Sequence, residues 1–196
     1  MGYDTTTWTT GASTTSVSSA NLTLYAEFGI GASSSTSYAA NTHFLIPYIG
    51  NVIGSASVEN DIHLGGFSAP ATSFTTADGA GTNASLVVPK LWYLPDNIYI
   101  DGIYSLEGAT HEQELTTTWH LMSFDFNSGS TSCLTNGVEL ADNTQVNAGA
   151  EQVYLNSWTV DSPSVSAGKV ILATFYKSLG NAYDFSASVK IKYHLT

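Results

Sequence analysis

The chain has 196 residues, 43% of them hydrophobic and 12% aromatic, enough to bury one full core and too few for two complete domains. Five basic residues, all lysine, face sixteen acidic ones for a net charge of -11, and there is no arginine. That balance repels a phosphate backbone and anionic lipid, and no apolar run approaches the roughly 20 residues that span a bilayer, so nucleic-acid binding and membrane insertion are both excluded as expectations.

Residues 1–20 are dominated by Thr, Ser, Gly and Ala around a lone Trp8, too polar to form a core alone. They read as an extended N-terminal arm whose Trp8 anchors it on a neighbouring surface. The start has neither the basic stretch nor the apolar segment of a secretory signal, which points either to synthesis in the cytoplasm or to a processed chain. The single cysteine, Cys133, reads as a small, half-buried apolar residue.

Residues 21–196 form one domain in this reading. The first strand is expected over 22–28, where apolar and polar residues alternate, and the second over 42–49, with Pro47 placing it at an edge or bulge. Short runs follow at 62–64, 84–88 and 98–100, and a turn or so of helix is the only helical expectation, near Ser105 to Glu114. Longer β-type runs come at 117–126, 153–160, 170–176 and 185–195. Turn chemistry separates them at Asp78-Gly79, Pro95-Asp96-Asn97, Ser128-Gly129, Asn136-Gly137, Ser162-Pro163 and Gly180-Asn181. The last run alternates so regularly that Phe185, Ala187, Val189, Ile191, Tyr193 and Leu195 share one face, which is expected to be buried. Strands with long, uneven connections predict an all-β, antiparallel, two-sheet jelly-roll sandwich with an N-terminal arm.

Signals for catalysis are missing: no nucleophile elbow, phosphate loop, dinucleotide fingerprint or zinc spacing occurs, and the five histidines fall in separate segments. The chain is therefore read as a non-enzyme without a cofactor. Glu59, Asp61 and His63 would share one face of an extended segment, and Asp96 and Asp101 flank a loop with Asn97 and Glu107 nearby. Both groups carry metal-donor atoms, but neither has the spacing of a metal site, and the first also reads as the wet face of an amphipathic strand. No metal is assigned. Most aromatics belong in the core; Trp8, Trp92 and Tyr93 are the candidates for a surface that anchors a partner or stacks on a sugar.

The Thr/Ser-rich start, the stretch from Asn97 to Gly108, and the ending in which Val153 to Trp158 precedes Ala167 to Leu172 resemble the jelly-roll head-decoration, cement and head-fibre proteins of tailed bacteriophages. The likeness covers roughly the second half and is one of style and composition. It implies a trimer on the virion surface, with the arm holding the major capsid protein or a neighbouring subunit and the outer loops free to meet the host. The scarcity of lysine departs from a basic capsid-contacting face, so contact would rest on apolar and hydrogen-bonded patches. The competing expectation is a carbohydrate- or receptor-binding module that takes a host-surface glycan; a glycan-cleaving enzyme ranks behind both.

Overall fold

The computed structural model describes residues 9–10, 13–14, 23–32, 43–51, 62–63, 71–74, 87–109, 115–147, 152–178 and 185–196. Eight principal strands run through them: β1 (Leu24–Ala32), β2 (His43–Ile46), β3 (Ile98–Ala109), β4 (Leu115–Phe126), β5 (Leu134–Asn147), β6 (Gln152–Ser157), β7 (Lys169–Lys177) and β8 (Phe185–Leu195). The first sheet has the order β6-β3-β8-β1 and the second β5-β4-β7-β2, with every pairing antiparallel. First, last, third and sixth strands in one sheet, and second, seventh, fourth and fifth in the other, is the double Greek key of a jelly roll. The expected fold is the observed one.

The inner faces meet in one core. Phe28, Ile103, Val189 and Ile191 of the first sheet pack against Ile46, Leu121, Ile171 and Phe175 of the second. On β8 the expected alternation holds, with Ala187, Val189, Ile191 and Tyr193 buried. β7 follows a different rule, because Val170 to Phe175 are buried without a break. Its even-numbered apolar residues lie under a second cluster, in which Phe74 and Val87 cover Leu45, Met122, Phe124, Val170 and Leu172. A strand covered on both faces has no wet side to encode, hence the continuous Val-Ile-Leu-Ala-Thr-Phe. Cys133 is a buried member of that cover, its Sγ 3.8 Å from the Phe74 carbonyl.

Several local expectations need correction. The single strand over 42–49 is two: Pro47 lacks an amide hydrogen and ends β2 in the second sheet, and Tyr48–Gly50 then pairs with β1 in the first. The proline is thus a corner between sheets, and its carbonyl accepts from the Gly29 amide at 3.0 Å. Trp158 divides the run over 153–160 likewise, with β6 before it in the first sheet and Thr159–Val160 after it on β5 of the second. Its amide donates to the Ile103 carbonyl at 3.0 Å and its indole Nε1 to Ser105 Oγ at 2.9 Å, which pins the crossing. Instead of helix, 105–109 is strand within β3, while 110–114 lies outside the described residues. Of the run expected over 84–88, 84–86 lies outside the described residues and Val88 opens a 3-10 turn, Val88–Lys90. Asp78-Gly79 and Gly180-Asn181 also lie outside the described residues.

Asn136-Gly137 is not a hairpin turn but a bulge inside β5, where the register shifts between Thr135 and Val138 and Asn136 takes φ 51°. The Gly137 amide donates to the Thr72 carbonyl at 2.9 Å, drawing the cover segment onto the sheet. A Cβ at Gly137 would stand 2.6 Å from the Phe124 ring and 2.9 Å from Thr72 Cα. Gly137→Ala is therefore expected to lower stability by about 1–3 kcal/mol, read as a drop in the urea midpoint without a change in slope. An unchanged midpoint would contradict the close approach.

Candidate functional site on the outer face of the first sheet

Strand alternation sets what this face carries. From β8 come Ser188, Lys190, Lys192 and His194; opposite them on β3 stand Leu106, Tyr104, Gly102 and Tyr99. On the other side β1 sets Tyr25 beside Lys192 and Glu27 beside Lys190, with Glu27 fully buried. β6, at the sheet's edge, adds Val153, Leu155 and Ser157 opposite Gly108, Leu106 and Tyr104.

Two zones result. At the edge, Val153 is 76% and Leu155 71% exposed, with Leu106 and Tyr104 exposed beside them. From Gln152 to Ser157 the strand holds no charged residue and no proline, so neither of these devices blunts the sheet edge there. Along β8 lies a strip of basic side chains between tyrosines. Here a register shift at Lys192/Tyr193 leaves Asp101 as the extra residue on β3, and both its carboxylate oxygens lie 3.0 Å from His194 Nδ1. The Tyr99 ring sits against the same imidazole, with centroids 5.3 Å apart.

Beneath this face, at the end of the core, a buried polar hub joins the sheets. Glu107 points inward and is 1% exposed. Its Oε2 accepts from Thr117 Oγ1 at 2.5 Å and its Oε1 from Asn156 Nδ2 at 2.9 Å. Burial pushes its carboxyl above the usual range, and the hydrogen bonds from Thr117 and Asn156 only partly offset this. The Trp119 indole also draws the value down, but its Nε1 lies outside hydrogen-bond geometry. Lys177 on β7, the register partner of Thr117 on β4, is buried too, and burial lowers its ammonium to about 8. The sign is opposite to that of Glu107: a depressed amine contributes stability above its unfolded value of 10.5 that is lost as pH falls through about 8. Lys177→Met is accordingly expected to raise stability at pH 7 relative to the native chain, with the gain shrinking by pH 10 in paired thermal melts.

Of the aromatic candidates, Trp92 is not a surface residue. It is 4% exposed, stacked on Tyr48 at 5.9 Å and tilted against Tyr193 at 5.0 Å. The two-residue strand Trp92–Tyr93 pairs with β7, so one side chain enters the core and the next leaves it; Tyr93 is 55% exposed. Trp8 lies outside the described residues, as does most of 1–20, where only Thr9–Thr10 and Ser13–Thr14 are seen, paired with each other. Glu59 and Asp61 also lie outside them, and His63 is described only through its backbone pairing to Phe44. Asp96 is exposed on its loop and Asp101 is committed to His194. Among the described residues no three His, Cys, Asp or Glu side chains gather as a metal site would require.

Sequence reasoning missed Val153, Leu155, Tyr104, Lys190 and Lys192. The available signal was the phase of β3. Ile98 and Ile100 are even-numbered and Ile103 is odd, a change of phase made by the extra residue at Asp101, and past it Ser105 and Glu107 face inward while Tyr104 and Leu106 face outward.

No family model matches the chain, and no curated protein matches it. Among solved structures, an alpha-amino acid ester hydrolase aligns over 85% of this chain and 31% of its own, at 8% identity and a TM-score of 0.33. A chain of infectious bursal disease virus, Gt strain, aligns over 96% of this chain and 62% of its own, at 10% identity and a TM-score of 0.12. This chain thus spans under two thirds of either, and likenesses this slight carry nothing about activity.

Proposed function

We propose that the chain is a structural protein of a particle surface, a jelly roll that decorates or cements the capsid of a tailed phage and assembles in trimers. The major capsid protein or another virion protein is its partner in this reading, and the virion its location. The observation that carries the proposal is the uncharged edge formed by Val153 and Leu155 with Leu106 and Tyr104 beside them. On a chain of net charge -11, copies repel one another over most of their surface. A patch free of carboxylates is where subunits can meet and remove apolar area from water. The continuous core between the two sheets behind that edge suits a module that adds stability to a shell rather than one that opens and closes. The competing glycan-binding reading draws on a different zone of the same face, the strip along β8.

The test is the concentration dependence of thermal unfolding. A melting temperature that rises with protein concentration is expected for the native chain, because association stabilises the folded state by mass action. Val153→Glu with Leu155→Glu removes two apolar contacts of about 1.5–3 kcal/mol each and should weaken association about 100-fold or more, flattening that dependence. A dependence that survives both substitutions would place the interface elsewhere.

A further inference from the structure

We propose that the strip along β8 binds a carboxylated glycan, a polysaccharide built with uronate-type acidic sugars; this goes beyond the assembly reading and shares only Tyr104 with it. The five lysines are not equivalent. Lys90 and Lys177 are buried, and Lys169 Nζ is held by Asp125 at 2.5 Å. Among the described residues no ion pair or side-chain hydrogen bond engages Lys190 or Lys192, which stand two residues apart on one face of one strand. The free positive charge of an otherwise acidic chain is thereby gathered in one place. Of the carboxylates on the same face, Asp101 lies against His194, and Glu27, fully buried, is the register partner of Lys190, which leaves Lys192 the lysine farther from a carboxylate on β1.

The second requirement of a sugar site is a flat aromatic platform. Tyr104 supplies it. A Cβ built on Gly102 would lie 3.2 Å from the Tyr104 hydroxyl and 3.4 Å from its ring, so the ring lies back along β3 over the glycine rather than standing up from the sheet. Gly102 is the register partner of Lys192, which sets the ring beside that lysine, and Tyr25 flanks Lys192 on the other side. Tyr104 is 42% exposed, leaving a face for a sugar ring. A pyranose on Tyr104 would direct a ring carboxylate to the Lys192 or Lys190 ammonium, a charge-assisted contact that a neutral sugar cannot make. Net charge opposes a polyanion at long range, so affinity rests on these contacts and not on steering.

Calorimetry with oligogalacturonate, dextran and polyglutamate tests this on the full chain. Binding to oligogalacturonate alone is expected, falling at least 10-fold in Lys190→Gln/Lys192→Gln and in Tyr104→Ala. Tyr104→Phe, which keeps the ring, should retain it, and Val153→Glu/Leu155→Glu should leave it unchanged, so this proposal and the assembly reading fail separately. Matching melting temperatures show that the variants are folded. No binding to oligogalacturonate, equal binding to polyglutamate, or full binding by the lysine variant would each overturn the proposal.

Discussion

Trp92→Ala is expected to lower stability by about 3–5 kcal/mol, while Tyr93→Ala, one residue along, changes it by less than about 0.5 kcal/mol. The two side chains share a two-residue strand and differ only in the face they take. Trp92 fills the space between Tyr48 and Tyr193, beside the point where Pro47 turns the chain from one sheet to the other. The hydroxyls of those tyrosines converge on Asn51 Oδ1, at 3.4 Å from Tyr48 and 3.3 Å from Tyr193. Removing the indole thus opens a cavity in the core and loosens the aromatic pair that locks the corner. Urea unfolding monitored by circular dichroism measures both variants. Equal, small effects would mean that Trp92 is peripheral, and a large effect at Tyr93 would mean that the strand is turned over.

The second large effect belongs to Glu107. Glu107→Ala strips both donors of their acceptor. Thr117 has an alternative in the Gln145 carbonyl, 3.4 Å away, but the Asn156 amide has no second acceptor among the described residues, and leaving it unsatisfied costs about 1–3 kcal/mol by itself. Glu107→Gln separates charge from shape. The folded carboxyl titrates above its unfolded value of 4.5, so its contribution to stability is fully present below pH 4.5 and is lost as pH rises through the raised value. Above that value the native chain carries a buried carboxylate and the Gln variant does not. The variant should therefore gain on the native chain as pH rises and lose that advantage on acidification. Paired urea titrations from pH 4 to 8 read the difference; a difference independent of pH would show that Glu107 does not change its charge on that scale.

Much of the fold was legible because period-two alternation in β8 and regularly spaced turn residues act locally. What escaped was set by contacts between distant segments. Pro47 announces an interrupted strand, but whether the interruption is an edge, a bulge or a corner depends on which sheet receives Tyr48. Asn136-Gly137 carries a hairpin signal, yet the Thr72 backbone converts it to a bulge under the cover segment. The site was less legible than the fold. Ser105 and Glu107 look like wet-face residues until Trp158, Thr117 and Asn156 supply their hydrogen bonds, and only then does the opposite phase put Tyr104 and Leu106 outside. Trp92 was misplaced for the converse reason: a two-residue strand has too little pattern to fix its phase.

Light scattering of the purified chain across a range of concentrations tests the assembly claim most directly. A mass three times 20.7 kDa, falling to 20.7 kDa in Val153→Glu/Leu155→Glu, is the predicted result. A mass of 20.7 kDa for the native chain at every concentration would contradict it.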